Sequence, residues 1–107
     1  MAPEAIAAGL VRVAERDGRR LGFSAVLEIA AGVCELDGLF VEPDAMRHGV
    51  GRALIADVVA RAGAAGATSI AVIANPRAVE FYDAVGFGPG AEASTRFGPA
   101  HWMHRPL

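Results

Sequence analysis

The feature that most constrains this chain is a double change of period between Val33 and Ala74. Val33–Val41 reads as a strand, and Glu42-Pro43-Asp44 ends it. Gly49–Ala65 then places Val50, Leu54, Val58 and Ala62 at helical spacing, with Arg52, Asp57 and Arg61 elsewhere and Gly63 and Gly66 at the end. Thr68–Ala74 is a short apolar run, expected to be a strand buried on both faces. A strand, a helix and a strand in that order need a crossover, so the two strands are expected to lie parallel in one sheet.

The flanks extend this unit. Leu10–Glu15 partly alternates in polarity and reads as a strand, and Arg16-Asp17-Gly18-Arg19 carries a hairpin signal with Asp-Gly at its centre. Leu21–Ile29 reads as a second strand, and Ala31-Gly32 marks another turn, which makes the strand at Val33 the third of a meander. Asn75-Pro76 is a helix-start signal, and the helix is expected to run to Val85, with Gly86 as its left-handed stop. Weaker strands follow near Gly90–Thr95 and His101–Arg105. The order β-β-β-α-β-α-β-β predicts an α/β (α+β) fold with a mixed, mostly antiparallel sheet.

Composition sets the class. The 107 residues suit one small domain with a thin stability margin. The hydrophobic fraction is 53%, but alanine supplies 23 residues, so the apolar content is not bulky. No apolar run approaches the roughly 20 residues of a membrane span, and Met1-Ala2-Pro3-Glu4 has no basic leader region, so a cytoplasmic protein is expected. A net charge of −2 gives no general attraction to nucleic acid or anionic membrane. All ten basic residues are arginine, a bias expected of a GC-rich bacterial genome. Cys34 is the sole cysteine and is expected to be a small buried hydrophobe. His101 and His104 fall on opposite faces of a strand, which argues against a shared metal site; no metal is expected.

The turn Arg47-His48-Gly49-Val50-Gly51-Arg52 joins the third strand to the first helix. The first amides of a helix have no intrahelical acceptor, and its dipole is positive at that end. Two glycines let a pyrophosphate approach the backbone, and Arg47 and Arg52 can add contacts. With no lysine in the chain this is not a Walker A loop, and Leu54 stands where a dinucleotide fingerprint needs its third small residue. By itself the turn is equally a glycine-containing helix start.

The surroundings are more specific. Leu36-Asp37-Gly38-Leu39-Phe40-Val41-Glu42-Pro43 leads into the turn, and Asn75-Pro76-Arg77-Ala78-Val79-Glu80-Phe81-Tyr82-Asp83-Ala84-Val85-Gly86-Phe87 follows one strand later. The pair resembles the two signature segments of the GNAT superfamily of acyl-CoA-dependent N-acyltransferases, and the resemblance is closest from Glu35 to Phe87. It implies that the third strand splays from its parallel neighbour and that the pantetheine arm of acetyl-CoA pairs with backbone of Leu39, Phe40 and Val41. It implies that Met46, Arg47, His48, Gly49, Val50, Gly51 and Arg52 cradle the pyrophosphate, that Asn75 holds the pantetheine, and that Tyr82 is the general acid for the departing thiolate. Asn75 is equally a good helix cap, and the alternative for Tyr82 is aromatic packing beside Phe81, which with Val85 is expected to face the core.

The implied reaction is direct attack of a primary amine, on a small molecule or a protein, on the acetyl thioester, with the Val41 amide a candidate for the oxyanion. Glu35 is the expected base. By the period of two it shares a strand face with Asp37, Leu39 and Val41. Asp37 is the second candidate and Glu28, on the neighbouring strand, the third; the alternative for each is a solvated carboxylate. Met46 departs from the family's usual glutamine or arginine at that position. Only about nine residues precede Leu10, so the domain, taken as 1–107, is expected to lack most of the family's N-terminal strand and helices, and a homodimer is expected. The alternative function is a non-catalytic acyl-CoA-binding or regulatory module; a nucleotide-binding α/β domain is the third.

Overall fold

The computed structural model describes residues 10–95 and 98–107, with no statement made on side chains 91–99. The expectation about the chain before Leu10 lies outside the described residues. The strands are β1 (Val11–Arg16), β2 (Arg19–Val26), β3 (Val33–Val41), β4 (Ser69–Ala74), β5 (Gly88–Thr95) and β6 (Gly98–Pro106). The helices are α1 (Val50–Ala64) and α2 (Val79–Ala84), with a short 3-10 turn at Pro43–Ala45. The element order is the expected one. One six-stranded sheet runs β1-β2-β3-β4-β6-β5, in which β3–β4 is the parallel pair and the other neighbours are antiparallel.

Local chemistry explains the joints. Asp17 and Gly18 both have positive φ, at 52° and 77°, and Arg16 pairs with Arg19, so the β1–β2 turn is the two-residue kind whose twist suits a hairpin. Ala31 and Gly32 repeat this at 51° and 80°. The strand expected to reach Ile29 ends at Val26, because the chain must leave the ladder to make that second turn. α2 begins three residues later than Asn75-Pro76 suggests. The Ala78 amide is held by both the backbone carbonyl and Oδ1 of Asn75, each at 3.0 Å, which closes a separate turn before the helix starts. Gly86, at φ 97°, ends α2 as expected.

Both helices pack on one face of the sheet. α1 buries Val50, Leu54, Ile55, Val58 and Ala62. Ile55, Val58 and Ala62 join Cys34, Leu36, Ile70, Val72, Ala74, Tyr82, Phe87 and Met103 in the main core. Val50 and Leu54 form a second cluster with Ala45, flanked by Leu39 and Val41. The opposite face has no helix over it among the described residues. Ile73 on β4 is accordingly 40% exposed, so β4 is not buried on both faces throughout.

Candidate acyl-CoA site

The register of β3 positions the site. The Leu27 amide donates to the Glu35 carbonyl at 2.9 Å, and the Glu42 amide donates to the Leu21 carbonyl at 2.8 Å. Glu35 and Glu42 thus both face β2, although they are an odd number of residues apart, which an unbroken period of two forbids. The slip is at Asp37: Ala25 pairs with Gly38 and Val26 with Leu36, leaving Asp37 as the extra residue of a β-bulge. Past the bulge, Leu39 and Val41 direct their backbone toward β4, and Phe40 directs its own toward β2.

Side chains follow the same shift. Leu39 and Val41 pack under α1 with Leu54 and Val50, as Leu36 packs with the main core. Glu35 therefore lies on the open face, opposite Leu39 and Val41. This corrects the expectation that all three share a face, which held only for a strand without a bulge. Asp37 is exposed at the bulge itself. Glu28 lies beyond the end of β2 and lines a 280 Å³ cavity on the helix side with Leu10, Arg12, Cys34 and Val58. The third candidate base is thus neither on a strand nor on the face that carries Glu35.

β3 and β4 pair only from Val33↔Ser69 to Leu36↔Val72. Beyond that point the strands separate, and the gap-facing backbone of Leu39 and Val41 has no strand partner. The turn that follows is equally unpaired. The Met46 amide reaches the Pro43 carbonyl at 3.4 Å and the Ala53 amide the Gly49 carbonyl at 3.0 Å, whereas the amides of residues 47–52 make no backbone hydrogen bond of good geometry among the described residues, the turn at 46–49 being held only by weak ones. No side chain caps the helix. Amides so placed, at the positive end of a 15-residue helix, have the chemistry to meet an anion. Met46, Arg47, His48 and Arg52 are exposed around it.

The two glycines do different work. Gly49 has φ 81° and open space where a Cβ would stand, so it both shapes the turn and leaves room for a ligand. A Cβ on Gly51 would lie 3.1 Å from the Phe81 ring, so glycine there lets α1 and α2 meet.

Tyr82 is 7% exposed and packs edge-to-face between Phe81 and Phe87, at ring-centroid distances of 5.2 and 5.3 Å. It is the inward residue of α2, and Phe81 and Val85 are only partly buried against it, the reverse of the expected assignment. α2 is six residues long, and Tyr82 is its one buried residue. Burial raises the Tyr82 hydroxyl above the ordinary tyrosine value of 10.0. Asn75 is exposed and its Oδ1 is committed to the Ala78 amide, which leaves its NH₂ to donate. His101 and His104 pair with Ala74 and Ala71 on opposite faces, as their spacing implied. Cys34 is buried, and desolvation raises its thiol above 9.0. The bulge is the feature sequence reading missed; the signal for it was Asp37-Gly38, two residues that fit poorly inside a strand.

Comparison with solved structures fits this geometry. N-acetylglutamate synthase of Neisseria gonorrhoeae, complexed with coenzyme A and N-acetyl-glutamate, matches with a TM-score of 0.83 at 21% identity, over 100% of this chain and 28% of that one. The ribosomal-protein-S18-alanine N-acetyltransferase of Escherichia coli matches at 0.78 and 21%, over 100% and 77%. An acetyltransferase of Bacillus cereus matches at 0.80 and 19%, over 91% and 71%. The chain spans less than two thirds of the length of the first three structures it matches, at 61%, 64% and 28%. No curated protein matches by sequence. Residues 3–87 match the acetyltransferase (GNAT) family, and with four-fifths of the sequence inside that match the chain belongs to this family.

Proposed function

We propose that this domain binds acetyl-CoA and transfers its acetyl group to a primary amine. The observation that carries the reading is the opened β3–β4 edge running directly into the free amides of residues 47–52. An extended amide-bearing arm satisfies the first, and a pyrophosphate satisfies the second. Acetyl-CoA, when bound, supplies the acetyl group as an activated thioester. Leu39 and Val41 hold the arm by backbone hydrogen bonds, and the Asn75 NH₂ adds another.

Glu35, on the open face, takes the proton from the acceptor ammonium, directly or through water. The Val41 amide supports the charge that develops on the carbonyl oxygen. Tyr82 gives its proton to the departing thiolate; its raised pKa keeps that proton in place at neutral pH. The reading includes action in a bacterial cytoplasm. It also includes a homodimer, supported by the open edge of β1 at the end of the sheet; a monomer mass in sedimentation would remove that part.

Titration calorimetry with acetyl-CoA, CoA and ATP, followed by thiol release with an amine panel, tests the reading. Binding of ATP but not CoA sinks it. Acetyl-CoA binding without thiol release from any amine leaves a non-catalytic binding module. Tyr82→Phe is expected to lower kcat by about 10²-fold with acetyl-CoA affinity retained; an unchanged rate removes Tyr82 as the acid.

A further inference from the structure

The opening between β3 and β4 is closed on one side. Leu39 and Val41 are packed against Val50 and Leu54, and Val72 and Ala74 lie in the core with Tyr82 and Phe87. Among the described residues, the face without helices is the side from which a second substrate can reach the opening.

That face has a particular chemistry. On the β3 side stands Phe40, 43% exposed and stacked on Phe23 with centroids 5.7 Å apart and planes 27° apart. On the β4 side stands Ile73, cross-strand partner of Trp102. Trp102 stacks in turn on His104, at 6.4 Å and 14°. Glu35 pairs with Ala71, so its carboxylate borders the opening beside a small residue. β4 carries no charged side chain, and Asp37 is the only other acid on β3. The approach is thus two apolar, largely aromatic walls with two carboxylates, Glu35 and Asp37, at the end where the strands join.

Resting on the function proposed above, we propose that the acceptor is an arylalkylamine: one ammonium on a short linker to a flat apolar group. Glu35 meets the ammonium, the group lies between Phe40 and Ile73–Trp102, and the aromatic faces add cation–π attraction. A polyamine or an aminoglycoside with three or more ammonium groups would exceed these two carboxylates and leave charge against apolar walls.

Trp102 is the only tryptophan, so its fluorescence reports on this face. With CoA-loaded protein, 2-phenylethylamine and tryptamine are the aryl probes, and spermidine and kanamycin the polycationic ones. Since tryptamine fluoresces, its binding is read by calorimetry. Phenylethylamine is expected to change Trp102 emission saturably at millimolar concentration or below, with no change from spermidine. In thiol release, kcat/KM for the aryl amines is expected to exceed that for spermidine by at least tenfold, about the discrimination an apolar pocket supplies. Trp102→Leu, which keeps an apolar side chain and removes the indole face, is expected to raise KM for phenylethylamine roughly fivefold with kcat and acetyl-CoA affinity unchanged.

Acetyl-CoA binding with a polycation preferred, or with no phenylethylamine response in fluorescence or calorimetry, overturns the acceptor class and leaves the proposed function standing. An unchanged KM in Trp102→Leu overturns the role of this wall. Failure to bind acetyl-CoA overturns the function itself, and with it this inference.

Discussion

At the scale of single residues, the site depends on what is absent from it. Gly49 leaves the N-terminus of α1 without a side-chain cap, so the free amides remain available. Gly49→Asp places a carboxylate against those amides. Aspartate tolerates a left-handed backbone better than most residues, so the fold is expected to survive. Calorimetry is expected to show acetyl-CoA affinity reduced by about tenfold or more, because the new charge opposes the pyrophosphate. Tyr82 and Cys34 give a second test. Both have pKa values raised by burial, so each favours the folded state while protonated. That contribution is complete below the ordinary values of 9.0 for Cys34 and 10.0 for Tyr82, and is lost as pH climbs through the raised ones. Denaturant midpoints are expected to fall above about pH 9, and Tyr82→Phe is expected to flatten the later part of that fall. Sequence identified Tyr82 as a residue to watch; only the packed core showed that it points inward.

At the scale of elements, the bulge in β3 is decisive. It lets one strand present Glu35 to the open face and Leu36, Leu39 and Val41 to the helices. Deleting Asp37 puts Leu36 and Leu39 two residues apart, so plain alternation keeps Leu39 and Val41 under α1 and Glu35 and Phe40 on the open face. Circular dichroism melting is expected to show a cooperative transition retained, with a loss of about 1–2 kcal/mol from closing the bulge. Loss of the cooperative transition would show that this extra residue is not what sets the faces of β3. The approach of β2 to β3 is equally tight: a Cβ on Gly22 would stand 2.3 Å from the Phe40 carbonyl oxygen, a contact with backbone that no rotamer change relieves. Gly22→Ala is therefore expected to lower stability by about 2–3 kcal/mol in urea unfolding.

At the scale of the whole molecule, a small domain has no helix over one face of its sheet among the described residues and leaves one pair of strands partly unjoined, so ligand binding should contribute much of its stability. Acetyl-CoA at about 100 times its Kd is expected to add roughly 2.7 kcal/mol, which for a domain of this size raises Tm by on the order of 10 °C. A shift under a degree or two at saturation would mean that the opening is not the binding site. The element order, the hairpin turns and the glycine turn before α1 were legible in sequence alone, because each rests on local steric preference or on a period read along the chain. The separation of β3 from β4, the face on which Glu35 lies and the inward side of α2 were decided only in the tertiary structure. Each depends on which residues stand opposite one another across strands, and a single extra residue in β3 reversed that assignment without altering the pattern that marks it as a strand.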